Sequence, residues 1–324
     1  MATHEKHILI TGISGYLGNR LAESLAGRDE VGLIVGADIV PMKNEYRKVI
    51  FHKIDIRNPE IAKIMKENRI DTVLHLAFVV KPIHNKKRMH DIDVNGTRNV
   101  LEGALSSGVK HVVAISSTLA YGAHRDNPLE LTEDHPLRGN ESYPYGRNKA
   151  LADVMMQEFA KNHPEMTITI LRPCTVFGSS VDNYVSRMLF MPVVVSIIGY
   201  DPAVQLVHED DFVKACLCAM DKKIPGAFNI AGDGALCASE IASMIGTAVI
   251  PLPKWTIYPL LEVLWRLRMP GIEVNHGYLD YIRYPFVAST HRAKRELGFK
   301  PEHTALETLD QTIRGRKKKG SSGT

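Results

Sequence analysis

The chain is 324 residues long, 44% hydrophobic and 23% charged, a composition that excludes a mainly disordered protein and fits a globular one with a full core. Lys and Arg number 40 against 36 Asp and Glu, and the resulting net charge of +4 is too slight for a nucleic-acid footprint. Four cysteines (Cys174, Cys216, Cys218 and Cys237), with no CxxC pair among them, exclude a disulfide framework and make a reducing cytoplasm the expected compartment.

The N-terminus runs from a mixed-charge stub into the apolar run HILIT (7–11), without the basic-then-apolar pattern of a secretory signal. Further β-branched runs follow at GLIVGAD (32–38), VIFHKI (49–54), TVLHLA (72–77), HVVAISS (111–117) and TITILRP (167–173). Helical stretches lie between them, among them Gly18–Ala26 stopped near Gly27 and Asn95–Ser107 stopped at Gly108, endings that read as left-handed glycine caps. This alternation predicts an α/β fold, a Rossmann-type doubly wound parallel sheet whose strands are buried on both faces. Beyond residue 175 a series of prolines from Pro192 to Pro285 breaks the chain into short elements, which predicts a smaller, irregular C-terminal lobe. Residues 1–175 are therefore assigned to a dinucleotide-binding domain and 176–324 mainly to a substrate lobe, with segments returning to the core. No apolar stretch approaches the roughly 20 residues of a spanning helix. The basic run Arg314–Lys319, ahead of GSSGT, reads as a frayed, solvated tail.

Three motifs carry chemistry. Thr11-Gly12-Ile13-Ser14-Gly15-Tyr16-Leu17-Gly18 follows the first strand and opens the first helix, where glycines let backbone N–H groups approach a pyrophosphate at the positive helix end. Asp38, at the end of the second strand, can accept hydrogen bonds from ribose hydroxyls and repels a 2′-phosphate, which favours NAD over NADP. Tyr145 and Lys149 stand four apart on a helix, so the ammonium can lower the phenol's pKa and make Tyr145 a general acid and base for an alcohol–ketone pair. Of the 11 tyrosines only this one has Lys at that spacing. About thirty residues upstream, Ile115-Ser116-Ser117-Thr118 ends a strand with hydroxyls able to hold a substrate oxygen.

Taken in order, TGISGYLG (11–18), Asp38, Asp55-Ile56, LHLAF (74–78), DVNGTRNVLEGA (93–104), ISSTLAYG (115–122), YPYGRNK (143–149), LRPCTVFG (171–178), QLVHEDD (205–211) and GAFNIAGDG (226–234) resemble the extended short-chain dehydrogenases/reductases of the NAD-dependent epimerase/dehydratase group, over roughly residues 7–315. The resemblance implies NAD as cofactor and a catalytic set of Ser117, Tyr145 and Lys149, with Thr118 as an adjacent substitute for the hydroxyl. It further implies that Gly12, Gly15, Tyr16, Leu17 and Gly18 form the phosphate loop, and that Asp55 and Ile56 flank the adenine. Leu76 and Ala77 would line the cofactor channel, Asn95 would support the site, Ser116 would sit beside the cofactor, and Pro173 would lie against the nicotinamide. A homodimer is expected from the same resemblance.

Departures from the family pattern bear on the substrate. Val204 stands where sugar-nucleotide epimerases commonly carry Arg, and the region around Val274–Gly277 lacks their Arg-x-Gly-Asp segment, so two diphosphate-binding cations are missing. Residues 255–267, with Trp255, Leu260, Val263, Trp265 and Leu267, form an apolar helical segment that either packs on the core, walls a bulky substrate or touches lipid as a peripheral contact. The sequence thus points to an NAD-dependent oxidoreductase interconverting a secondary alcohol and ketone on a bulky, largely apolar small molecule. A UDP-sugar 4-epimerase or a related sugar-nucleotide-modifying enzyme is the alternative, and a non-catalytic NAD-binding regulator a more distant one. Neither HExxH nor a Cys/His quartet occurs, so no metal site is expected, and His75 and His208 read as structural.

Overall fold

The computed structural model describes residues 5–321. The chain opens with β1 (Lys6–Thr11), α1 (Tyr16–Ala26), β2 (Val31–Asp38), β3 (Val49–Lys53), α2 (Glu60–Glu67) and β4 (Thr72–His75). It continues through α3 (Lys86–His90), α4 (Gly96–Ser106), β5 (His111–Ile115), α5 (Pro144–Asn162), β6 (Thr167–Pro173) and β7 (Thr175–Phe177). The second half contains α6 (Tyr184–Leu189), β8 (Val193–Ile197), β9 (Ala203–Val204), β10 (Leu206–His208), α7 (Glu209–Lys222) and β11 (Gly226–Ile230). After these come β12 (Leu236–Cys237), α8 (Ala238–Ile245), β13 (Ala248–Leu252), α9 (Lys254–Arg266) and α10 (Ala305–Ser321).

Seven strands form one sheet in the order β11-β6-β5-β4-β1-β2-β3, with every neighbouring pair parallel. All six β-branched runs lie in it, and β11 returns from the second half to form an edge. Strand alternation feeds two cores. Ile8 and Ile10 of β1 pack with Leu21 of α1 and Phe212 and Cys216 of α7, while Leu9 packs on the other face with Val100 of α4 and Met155 and Phe159 of α5. Strand order reverses between β1 and β4, which opens a crevice beyond their carboxyl ends, the usual ligand position in such sheets.

Four local expectations change or sharpen. Gly108 ends α4 in the left-handed region at φ +80°, but Gly27 stays right-handed at φ −80°, so only one of the two glycine endings is a left-handed cap. Asp91–Asn95 form one π turn, and α4 itself begins at Gly96. The basic run Arg314–Lys319 is not a frayed tail: it lies in α10, where Gly315 packs on the Ser179 backbone and the Arg316 guanidinium stands 4.9 Å from the Phe190 ring. Residues 322–324 of the expected tail lie outside the described residues. The apolar segment forms α9 and its C-terminal cap Leu267, burying Ile257 and Trp265 and leaving Trp255, Leu260, Val263 and Leu267 exposed. Among the described residues no helix is long and apolar enough to cross a membrane.

Candidate active site

The glycine loop fits a dinucleotide. Gly12 sits at φ +74°, and a Cβ there would stand 2.8 Å from the Ala77 backbone nitrogen. A Cβ on Gly18 would strike the Gly12 carbonyl, so α1 can approach the loop only with glycine at that position. Gly15 begins α1 with no side-chain cap, which leaves the first-turn N–H groups to an incoming anion. Tyr16 and Leu17 contribute backbone here, because the Tyr16 hydroxyl donates to Glu209 at the start of α7 and Leu17 packs on the core. Leu76 and Ala77 are drawn to the loop by N–H bonds to the Thr11 carbonyl (3.1 Å) and hydroxyl (3.3 Å). At the end of β2 the Asp38 carboxylate accepts from the Ser14 and Val40 N–H groups, both at 3.0 Å, beside the loop where a ribose would lie.

Farther along the crevice, Ile56 is buried against Gly96, and the Asp55 carboxylate pairs with Arg57 at 2.7 Å. Arg57 also reaches Asp91 at 2.8 Å, and Asp91 accepts from the Asn95 amide at 2.9 Å. The Arg57 hydrogen bond holds the Asp55 carboxyl below the usual carboxylate range. Asn95 is exposed and belongs to this outer network, away from the reactive centre.

Ser117, in extended backbone just after β5, donates to the Pro173 carbonyl at 3.4 Å and accepts from the Leu119 N–H at 3.2 Å. The neighbouring Ser116 and Thr118 hydroxyls are buried without a partner. Tyr145 lies in the first turn of α5, whose start is set by Pro144 at N1. Gly146 next to it lets the helix come close to the Tyr281 hydroxyl and the Leu119 carbonyl. Burial raises the Tyr145 pKa, the charge of Asp93 raises it further, and a hydrogen bond from Ser117 lowers it. Lys149, one turn on, donates to the Ile115 carbonyl at 2.7 Å and stands 3.6 Å from the centre of the Phe78 ring. Its ammonium is 5.8 Å from the centre of the Tyr145 ring. The four-residue spacing therefore brings phenol and ammonium to one place as expected. The expected lowering of the phenol pKa by Lys149 is absent: burial and the Asp93 charge raise it, and the group that lowers it is Ser117.

Sequence reasoning missed the group behind this pair. Asp93, two residues before Asn95, is fully buried and accepts from the Val79 N–H (2.8 Å) and from the Asn148 side chain (2.9 Å). Burial pushes its carboxyl up, while these hydrogen bonds and the Lys149 charge pull it back. Burial pushes Lys149 down, and the Asp93 and Asp153 charges draw it back up. An acidic residue flanked by apolar positions in a helical segment was the available signal, but only the π turn shows that Asp93, and not Asn95, faces inward. Phe78, edge-on to Tyr145 at 5.8 Å, and Tyr143, at 6.2 Å, wall the phenol, and Tyr278 lies edge-on behind Tyr143 at 5.8 Å. His75 is held neutral by burial between the Thr11 and Thr97 hydroxyls, a structural role.

A family model described as "NAD dependent epimerase/dehydratase family" matches residues 8–231. An uncharacterised protein of Mycobacterium tuberculosis is 29% identical over 320 residues, 97% of this chain and 85% of that protein. The UDP-glucose 4-epimerase of Neisseria meningitidis is 30% identical over 186 residues, 54% of each chain. Among solved structures, a Thermotoga maritima UDP-glucose 4-epimerase with UDP-glucose has a TM-score of 0.75 at 21% identity, covering 97% of this chain and 99% of that one. A Bacillus anthracis dTDP-glucose 4,6-dehydratase in complex with NAD has a TM-score of 0.77 at 18% identity, with 98% of both chains covered. With its parallel sheet, its glycine loop and this match over more than half its length, the chain belongs to the NAD-dependent epimerase/dehydratase family.

Proposed function

We propose that this chain interconverts a secondary alcohol and a ketone by hydride transfer to and from NAD, with Ser117, Tyr145 and Lys149 as its catalytic set. The observation that carries this reading is the convergence of the Ser117 hydroxyl, the buried Tyr145 phenol and the Lys149 ammonium at the carboxyl end of β5, on the crevice that also holds the glycine loop. When bound, NAD supplies the hydride acceptor. Ser117 holds the substrate oxygen and Tyr145 takes the hydroxyl proton, returning it in the reverse direction. Lys149 supplies positive charge beside the phenolate as it forms. Gly12, Gly15 and Gly18 with the uncapped start of α1 hold the pyrophosphate, and Asp38 selects the unphosphorylated ribose.

On the substrate, the bulky apolar reading loses one of its supports, because α9 turns Trp255, Val263 and Leu267 to solvent and not toward Tyr145. A nucleotide-sugar substrate is favoured by the relatives named UDP-glucose 4-epimerase and by the neighbour holding UDP-glucose. In that reading the same step runs twice, with the keto sugar turning between. The diphosphate then needs contacts other than the two cations absent from the sequence. Purified chain with NAD is offered UDP-glucose, UDP-galactose and a panel of lipophilic secondary alcohols, with NADH absorbance and sugar products followed together. UDP-galactose formed from UDP-glucose without net NADH assigns the epimerase. NADH formed only with the alcohols assigns the dehydrogenase, and neither product from any substrate counts against both.

A further inference from the structure

We propose that the outer face of α9 docks this protein on an anionic lipid bilayer. Helical spacing sets Trp255, Pro259, Val263 and Leu267 on one face, with Leu260 beside them, and the structure leaves that face uncovered. Trp255 is 75% exposed, Val263 52% and Leu267 67%, an arrangement that costs free energy in water unless something covers it. The opposite side of the helix is committed to the protein: Ile257 and Leu261 pack with Ile197 and Leu279, and the Trp265 ring stacks on His84 at 4.1 Å. The stripe is therefore held rigidly outward.

Charge selects the occupant. Lys254, Arg266 and Arg268 border the stripe, and the only carboxylate in residues 248–271 is Glu262. Glu262 is turned inward, bonded to His276 at 2.7 Å and to Arg266 at 2.6 Å. Lys254 and Arg268 have no ion-pair partner among the described residues. A polar cleft of about 340 Å³ adjoins the stripe, lined by the three cations Lys86, Arg266 and Arg268 against the one carboxylate Glu262, and the buried Asn275 side chain there has a carbonyl oxygen without a partner. Apolar side chains with a Trp at the boundary and a cationic border match the acyl edge and the phosphates of an anionic membrane surface. A second copy fits less well, since a two-fold pairing across this face would bring the two unpaired cations, Lys254 and Arg268, against those of the partner.

The surface is read without turnover, so failure of the proposed chemistry leaves it standing and the reverse holds too. The full chain with NAD is mixed with phosphatidylcholine vesicles with and without phosphatidylglycerol, and co-sedimentation is measured across a salt series. Binding to the phosphatidylglycerol vesicles that weakens with salt is expected, with a blue shift of Trp255 emission read in a Trp265→Phe background. The combined variant Trp255→Ser, Val263→Ser, Leu267→Ser removes only exposed side chains, and unchanged NAD binding checks its fold. It should bind these vesicles at least about tenfold more weakly, given the apolar surface lost. Replacement of Lys254 and Arg268 by Glu should remove the preference for phosphatidylglycerol. No vesicle binding, or binding equal in the serine variant, overturns the proposal. A concentration-dependent dimer abolished by the serine variant, with no vesicle binding, also overturns it and assigns the face to a second copy.

Discussion

Asp93 touches no substrate in this account, yet its charge bears on both proton-handling groups. Its carboxylate favours the charged form of Lys149 and disfavours phenolate at Tyr145. Asp93→Asn keeps the size and the acceptor oxygen for the Val79 N–H but removes the charge. Lys149 then gives up its proton at lower pH, and so does Tyr145. Both limbs of the pH profile of kcat should therefore move to lower pH, by about one unit for groups this close. A merely structural carboxylate would lower activity without moving the limbs, so an unshifted profile would refute the coupling.

Among the elements, α5 and the turn after β5 must keep their mutual position for Ser117 and Tyr145 to meet. Arg172 of β6 joins them from below. Its guanidinium holds Asp153 of α5 through two bonds of 2.8 and 2.9 Å, and donates to the Tyr121 hydroxyl at 2.8 Å. Tyr121 donates in turn to Asn229 of β11. Both members of the ion pair are almost completely buried, so Arg172→Ala leaves an unpaired interior carboxylate and should cost about 3–5 kcal/mol, measured by urea unfolding. A loss below about 1 kcal/mol would show that the pair is not the joint described here. The elements also mark how much was legible in the sequence. Strands buried on both faces, such as β4 and β5, announce themselves as apolar runs, and β1 to β6, the partly exposed edge strand β3 among them, end within two residues of their expected limits. The inward turn of Asp93 was hidden, because one π turn shifts the facing of Asp91–Asn95 and leaves no compositional mark. The end of α10 was hidden for a different reason, since Gly315 and the basic residues look like a tail until Ser179 and Phe190 are seen against them. The glycine loop and the Tyr145–Lys149 pair were readable from spacing and Ser117 only from the family resemblance, whereas Arg172 and Phe78 join these residues only through tertiary packing.

For the whole molecule, buried neutral histidines link the fold to pH. Burial lowers His75 to about 3 and His111 to about 4. In the unfolded chain both take up protons below about pH 6.5, while the folded state resists until far lower. Their contribution to stability is thus complete above about pH 6.5 and is lost progressively as pH falls toward the folded values. The melting temperature should decline on acidification through this window, and His111→Gln should flatten the decline. A melting temperature independent of pH across it would contradict the assignment.

In the proposed function one crevice both holds NAD and moves a substrate proton through Tyr145. Tyr145→Phe keeps the ring between Phe78 and Tyr143 and removes only the hydroxyl. NAD affinity and turnover are to be measured side by side on the wild-type chain and this variant, with whichever substrate the product assay identifies. NAD affinity should be unchanged, with turnover lower by about a hundredfold or more. Turnover equal to wild type in the variant would contradict that function.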